Sequence, residues 1–241
     1  MQQILGLARR CVEDYHMISA GDRIAVGVSG GKDSLLTLTA LVRLREFYPL
    51  PFTVEAITLE TGTPGMNFDA VADYCRELGV PYTRLRVPVY QIVFEERKEK
   101  NPCSLCAKLR RGSLNSALVE RDIHKIALGH HFDDAIETLM MNLLFEGRIG
   151  CFQPVTYLDR TGITQIRPLL YCREEQIRRV AERLALPVVE NPCPANGYSR
   201  RQEVKELIGG LEERYPDLKQ KLFGAVQRYP LYGWDLDHPE Q

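Results

Sequence analysis

The stretch that decides the fold is residues 23–34, which read R-I-A-V-G-V-S-G-G-K-D-S. Its first six residues form a short apolar run that predicts a buried strand, and residues 35–47 have helical spacing. A loop of small and polar residues, 29–34, joins the two. Small residues let backbone N–H groups approach an anion, and a helix N-terminus adds partial positive charge. The stretch therefore predicts a strand, an anion-binding loop and a helix, in that order.

The same alternation recurs along the chain and predicts an α/β fold with a doubly wound parallel sheet and a helical C-terminal part. In such sheets ligands bind at the carboxyl ends of the strands. Further strands are predicted at residues 52–59, 82–87 and 125–129, and helices at residues 4–15, 66–78, 91–100, 104–121, 133–145, 174–184 and 199–214. We expect three parts, which are an N-terminal helix (1–21), an α/β domain (22–190) and a C-terminal segment (191–241).

The composition is that of an average globular protein. Lys plus Arg is 31 and Asp plus Glu is 32, which excludes a strongly basic nucleic-acid binder, so any RNA contact needs clustered basic residues. No run approaches the roughly 18 apolar residues of a membrane span, and the start lacks an apolar signal core. We therefore expect a cytoplasmic protein without a membrane partner. In a reducing compartment, paired cysteines more often bind metal or do redox chemistry than form bridges.

The loop at residues 29–34 fails two familiar patterns. It is one residue too short between its glycines for a Walker loop, and serine stands where the dinucleotide fingerprint needs glycine. Its S-G-G-K-D-S sequence resembles the PP-loop of the ATP pyrophosphatases, which split ATP between the α and β phosphates. The resemblance implies the adenine nucleotide alpha-hydrolase-like fold of PP-loop ATPases. It also implies that the loop binds ATP, through Ser29, Gly30, Gly31, Lys32, Asp33 and Ser34. A Mg²⁺ ion would explain Asp33, whereas a simple capped Gly-Gly turn is the alternative.

A second polar segment, G-H-H-F-D-D-A-I-E-T at residues 129–138, follows the predicted strand at 125–129. It resembles a G-H-x-x-D-D-x-x-E-T pattern of PP-loop enzymes that modify tRNA. By that resemblance Gly129 and Asp134 line the ATP site, and the backbone at Thr58 and Leu59 meets adenine. His130 would contact phosphate or the activated substrate. From the residues alone, Asp133 or Asp134 caps the helix, and His130 and His131 fit equally well as packed, hydrogen-bonded histidines.

The cysteines offer a possible metal site. Cys103 and Cys106 form a C-x-x-C pair, and Cys193 lies in a later turn. The cysteine pattern allows three interpretations. These are a zinc site completed by Cys151 or Cys172, a thioredoxin-like redox pair, and an iron–sulfur cluster with three thiolates. Spacing does not choose between them. Two further cysteines, Cys11 and Cys75, fall on apolar helical stripes and are predicted to be core residues.

Four segments resemble the tRNA 2-thiocytidine synthetase family (TtcA), namely residues 103–112, 127–134, 166–174 and 193–197. With the PP-loop, the resemblance runs from about residue 22 to residue 215. It implies a 4Fe–4S cluster on Cys103, Cys106 and Cys193. It also implies ATP-dependent 2-thiocytidine formation in the tRNA anticodon loop, by adenylation of the base and then sulfur transfer. The partners implied are tRNA, a sulfur donor (cysteine desulfurase or sulfide) and a second copy in a homodimer. The cysteines and the PP-loop should then face one cleft.

Basic residues follow the cysteines in sequence. We expect a positive patch for RNA, with Arg110 joining Lys32, Asp33 and Asp134 as the catalytic group. The candidates for the patch are Lys108, Arg110, Arg111, Arg200 and Arg201, with Arg148, Arg167, Arg173, Arg178 and Arg179 as further ones. Ordinary solvated helix faces are the alternative, and they are our interpretation of Arg178 and Arg179. Competing functions are thiolation of another tRNA base (2-thiouridine type), a ligase of the lysidine synthetase type, which needs no cysteine cluster, and a non-catalytic nucleotide and iron–sulfur sensor.

Overall fold

The computed structural model describes residues 1–98, 102–193 and 200–229. The described helices are α1 (Gln2–Asp14), α2 (Lys32–Leu44), α3 (Asp69–Glu77), a short π-helix (Gln91–Glu96), α4 (Pro102–Glu120), α5 (Phe132–Phe145), α6 (Glu174–Arg183), α7 (Arg200–Arg214) and α8 (Leu218–Arg228). The described strands are β1 (Arg23–Gly27), β2 (Thr53–Glu60), β3 (Tyr82–Arg86), β4 (Lys125–Ala127), β5 (Val155–Leu158) and β6 (Ile163–Ile166).

The strands form one sheet in the order β3-β2-β1-β4-β6-β5. All neighbours are parallel except β5 and β6, which pair antiparallel as a hairpin. The chain begins in the middle with β1, moves outward to β2 and β3, and then returns to place β4 on the other side of β1. The direction of winding therefore switches between β1 and β4. The crevice outside the carboxyl ends of these two strands is where such sheets bind ligands.

Alternate residues of β1 enter two different cores. Ile24 and Val26 belong to a large cluster that includes buried residues of most of the helices, whereas Ala25 faces a smaller cluster on the opposite side of the sheet. Leu114 and Leu118 of α4 cover that smaller side. The centre of the sheet is thus buried on both faces, which explains why β1 contains a continuous apolar run.

The predicted α/β class, parallel-dominated sheet and helical C-terminal part are confirmed, and the element bounds agree within a few residues. The hairpin of β5 and β6 was missed, although its two four-residue runs of β-formers flank a turn that ends at Gly162, where φ is +66°. The predicted helix at 91–100 is only a six-residue π-helix, and its last two residues lie outside the described ones. No helix among the described residues is long and apolar enough to cross a membrane.

Candidate active site

The loop between β1 and α2 is held open by its own hydrogen bonds. The Ser29 N–H donates to Ser34 Oγ at 3.1 Å, and that hydroxyl donates to the Gly31 carbonyl at 2.9 Å. Gly30 has φ +86°, and a Cβ there would lie 2.8 Å from Cβ of Val189. Only glycine fits that position, because both its backbone conformation and its contact exclude a side chain. The arrangement presents the first N–H groups of α2 to the crevice, as an anion site requires.

The loop after β4 touches this loop backbone to backbone. A Cβ added at Gly129 would lie 2.9 Å from the Ser34 nitrogen and 3.0 Å from the Asp33 carbonyl carbon. Glycine at this position therefore lets the carboxyl ends of β1 and β4 close on one another. The fold therefore brings the two polar segments, residues 29–34 and 129–138, into contact.

Carboxylates gather beside this contact. The buried His131 ring places Nε2 at 3.4 Å from Asp134 Oδ2 and at 3.8 Å from Asp33 Oδ1. Asp134 Oδ2 also accepts the His131 N–H at 2.9 Å, so the first turn of α5 is closed by its third residue. Among the described residues Asp33 Oδ1 is buried without a hydrogen-bond partner. Two carboxylates, one of which has an oxygen without a hydrogen-bond partner, are suited to a divalent cation beside this loop.

Asp133 has a structural role instead. It is buried, its Oδ2 accepts the Glu174 N–H at 2.7 Å at the start of α6, and its Oδ1 pairs with Lys219 at 3.0 Å. The expected helix cap is therefore divided between the two aspartates. Asp134 serves α5, and Asp133 serves α6.

Lys32 lies at the start of α2 between two acids. Its Nζ is 3.2 Å from Asp33 Oδ2 and 3.2 Å from Glu174 Oε1. Burial opposes the charge, but these carboxylates outweigh it and raise the pKa of Lys32. Burial also opposes ionisation of Glu174, yet its hydrogen bond to Lys205 and the charge of Lys32 lower the pKa of Glu174 to about 2. Sequence reasoning missed Glu174 as a partner, since 142 positions separate it from Lys32.

The cysteines meet the PP-loop in one cavity of about 520 Å³. Cys106 and Cys193 line it together with Arg110, the loop residues and Gly129. Cys103 is exposed one turn earlier on α4. Burial raises the pKa of Cys106, Arg110 counteracts this, and nearby Cys193 and Cys103 raise it further, so the three thiols are electrostatic neighbours. Of the segment 193–197, whose sequence resembles the TtcA family, residues 194–197 lie outside the described ones.

These three thiols do not form a compact single-ion site. Within residues 1–98, 102–193 and 200–229, no three His, Cys, Asp or Glu side chains are close enough together to hold one metal ion. The proposed zinc completion also fails, because Cys172 is buried in the main core and Cys151 bonds the Ala135 carbonyl at 3.4 Å. Cys11 and Cys75 are fully buried, as predicted.

Of three other predicted nucleotide-site residues, two line the cavity and one does not. Leu59 lines the cavity. Thr58 is buried inside β2, its hydroxyl donates to the Val28 carbonyl at 2.7 Å, and it is not among the residues that line the cavity. His130 lies on the cavity wall, where burial first and then the Arg167 charge lower its pKa to about 4. It is therefore neutral at pH 7.

The predicted basic residues differ in their exposure and in what they contact. Arg110 lines the cavity, and Lys108 and Arg111 are exposed beside it. Arg201 is turned inward and pairs with Asp134 at 3.3 Å and Glu137 at 2.9 Å. The placement of Arg167 in an exposed positive patch was wrong, since its side chain is only 5% exposed and donates to Thr156 of β5. Arg178 and Arg179 are on an exposed helix face, as expected.

Comparisons with known proteins give a consistent result. The family model described as "PP-loop domain" matches residues 6–208. The tRNA-cytidine(32) 2-sulfurtransferase of Anaeromyxobacter dehalogenans is 40% identical over 237 residues, covering 94% of this chain and 81% of the relative. The enzyme of that name from Geobacter sulfurreducens is 38% identical, covering 98% and 93%. The solved U34-tRNA thiolase NcsA from Methanococcus maripaludis with its [4Fe-4S] cluster superposes with TM-score 0.77 at 27% identity, covering 98% and 79%.

Proposed function

Since the chain belongs to the PP-loop domain family and, within it, to the tRNA-cytidine(32) 2-sulfurtransferases, we propose that it uses ATP to replace the 2-oxygen of a tRNA cytidine with sulfur. The observation that carries the proposal is the shared cavity. Thiols suited to sulfur chemistry and a loop suited to phosphates open into the same space, which is lined by Cys106 and Cys193 and by Ser29, Gly31, Asp33 and Ser34. A ligase that attaches an amine has no use for that arrangement.

The loop residues fit ATP. The N–H groups at the start of α2 and the hydroxyls of Ser29 and Ser34 would bind phosphates in this cavity. Lys32, which lies outside the cavity lining and pairs with Asp33 and Glu174, would add positive charge nearby. Asp33, with its unpartnered Oδ1, and Asp134 would hold Mg²⁺, whose charge neutralises the phosphates and stabilises the pyrophosphate that leaves. The Leu59 backbone, at the edge of the same cavity, is placed to meet adenine.

The cysteines fit an iron–sulfur cluster better than a single ion. A 4Fe–4S cluster is wider than one ion, so its thiolates need not be within contact of each other, which agrees with the loose grouping of the three thiols. Cys103, Cys106 and Cys193 would hold it through three irons. When bound, the cluster would supply an iron site from which sulfur is delivered to the base.

The chain's own residues then have separable tasks. Lys32 keeps its charge at pH 7 and stabilises negative charge developing on the phosphates as AMP is transferred to the cytosine 2-oxygen. Arg110, which lines the cavity beside Cys106, would neutralise charge on the adenylated base or the incoming sulfur. A sulfide equivalent attacks C2, the C2–O bond breaks, and AMP leaves with the oxygen. We propose free sulfide or a cysteine desulfurase as the sulfur donor, in the cytoplasm.

The test is anaerobic reconstitution with iron and sulfide, followed by incubation with ATP, Mg²⁺, sulfide and an unmodified tRNA transcript. Nucleoside mass spectrometry is expected to detect 2-thiocytidine, with one AMP and one pyrophosphate formed per thiolated base. Asp33→Asn is expected to abolish the product, while Asp73→Asn, an exposed aspartate on α3, is a matched control. Formation of 2-thiouridine instead would select the uridine-modifying alternative. No thiolated base, with intact ATP binding, would refute the proposal.

A further inference from the structure

A second cavity, of about 840 Å³, adjoins the one that holds the PP-loop. The two cavities share a wall made by His130, Arg110 and three leucines, Leu59, Leu114 and Leu128. The other walls of the second cavity come from residues 149–153 and from the β5–β6 hairpin. Its volume is within the usual range of small-molecule sites. Apart from Arg110 and Leu59, the residues that line it have no role in the function described above.

The floor of this cavity carries an ordered cation. Arg167 is only 5% exposed, and one of its terminal nitrogens donates to the Gln153 carbonyl and, at 3.1 Å, to the Thr156 hydroxyl. Its other terminal nitrogen donates to Gln165 Oε1 at 3.4 Å. These bonds hold the hairpin against the loop that precedes it. Within the described ranges, the Arg167 Nε–H has no hydrogen-bond partner, and burying a polar N–H unpaired is costly.

An aromatic surface completes the cavity beside this guanidinium. The Phe152 ring lies 4.9 Å from the Arg167 Cζ and 4.9 Å, between ring centroids, from His130. Nδ1 of His130 is likewise buried and lacks a hydrogen-bond partner among the described residues. The cavity therefore combines an aromatic surface with two unpaired buried nitrogens, which matches a flat heterocycle with hydrogen-bonding edges.

We propose that this second cavity receives the target cytosine, splayed out of the tRNA, packed against Phe152 and bound at its 2-oxygen by His130 and at its N3 by Arg167. The inference rests on the proposed function. It follows from the shared wall, because the 2-oxygen has to reach the α-phosphate bound in the first cavity while the ring stays in the second. His130 lies on that wall. Both the 2-oxygen and N3 of cytosine are acceptors, which the Arg167 Nε–H and one N–H of a neutral His130 complement.

The direct test uses a tRNA transcript with 5-iodocytidine at the target position. Near-ultraviolet light crosslinks a halopyrimidine to an adjacent side chain, and the crosslinked peptide is mapped by mass spectrometry. We expect the crosslink in residues 149–153 or at His130. A crosslink confined to other parts of the chain overturns the proposal. The measurement needs no turnover, so it is independent of the thiolation assay.

Substitutions give a second readout. Stacking on an aromatic side chain predicts that Phe152→Ala lowers kcat/KM for tRNA roughly 10- to 100-fold, while Kd for ATP stays unchanged. Phe152→Tyr should restore most of the loss. Tyr157→Ala is the matched control, because Tyr157 is 62% exposed on the same hairpin and outside the cavity lining. Equal kcat/KM for Phe152→Ala and Tyr157→Ala overturns the proposal.

The two proposals fail in different ways. Wild-type protein that gives the expected crosslink but no 2-thiocytidine contradicts the proposed function and supports a base-binding cavity. Protein that forms 2-thiocytidine but crosslinks elsewhere contradicts the cavity assignment alone.

Discussion

Glu174 connects the PP-loop to the rest of the site, and its replacement by glutamine has a predictable effect. Its pKa falls from 4.5 to about 2, and the side chain is 27% exposed. At about 1.4 kcal/mol per unit, this shift corresponds to about 3 kcal/mol of folding free energy at pH 7. Glutamine keeps part of the hydrogen bonding to Lys32 and Lys205. We therefore expect Glu174→Gln to lower the free energy of unfolding by about 1–3 kcal/mol.

The pH dependence makes this prediction specific. A carboxylate with a depressed pKa stabilises the fold above its unfolded pKa, and the stabilisation is lost as the pH falls toward the folded value. The wild-type advantage over Glu174→Gln should therefore be complete at pH 7 and shrink to about half near pH 3.

The measurement is urea unfolding of both proteins across that pH range. Glu175→Gln is the matched control, because Glu175 is the next residue, is 56% exposed, and pairs only with Arg179 among the described residues. Exposed pairs of this kind contribute about 0.5 kcal/mol. A pH-independent loss for Glu174→Gln, or a loss no larger than that of Glu175→Gln, would refute the reasoning.

Three further predictions concern the cavity. Gly129→Ala should weaken ATP binding at least tenfold by calorimetry, since its Cβ would lie 2.9 Å from the backbone of the PP-loop. Gly209→Ala, where the added Cβ lies in open space on α7, should leave ATP binding intact. Equal affinities of the two variants for ATP would contradict the close approach. Cys106→Ser should lose iron and the visible absorption after anaerobic reconstitution, while Cys75→Ser, in the core, should keep both despite lower stability. Full iron content in the Cys106→Ser protein would show that Cys106 is not a cluster ligand. The His130 ring should show no titration between pH 5.5 and 8 by NMR, because its pKa is about 4, and a midpoint near 6.5 would mean that it is not desolvated.

Sequence patterns predicted most of the fold because the strands of a buried parallel sheet are uninterrupted apolar runs and the connecting helices have clear periodicity. The β5–β6 hairpin was missed because each of its strands has only four residues and β5 lies at the edge of the sheet. The antiparallel direction of β5 follows from the length of its turn, which is too short for a crossover connection.

The site was predictable where one loop supplies its residues and unpredictable where distant ones meet. Ser29 to Ser34 form a single turn, so their chemistry is visible in order along the chain. The pairing of Lys32 with Glu174 and the burial of Arg167 depend on contacts between elements far apart in sequence. Charge alone does not distinguish a buried arginine from a solvated one, and Arg167 was misassigned for that reason.

What the sequence determined by itself is local, namely the strand, loop and helix that bind phosphate, the glycines that their backbone requires, and the thiols available for a metal. These features depend on the backbone preferences of neighbouring residues, which hydrophobic periodicity and small side chains make visible in the sequence. Only the tertiary structure decided that Gly129 closes on the PP-loop, that Cys106 and Cys193 open into the same cavity, and that a second cavity lies across His130. The physical reason is the order of the strands, because the return of the chain to the other side of β1 brings the ends of β1 and β4 together.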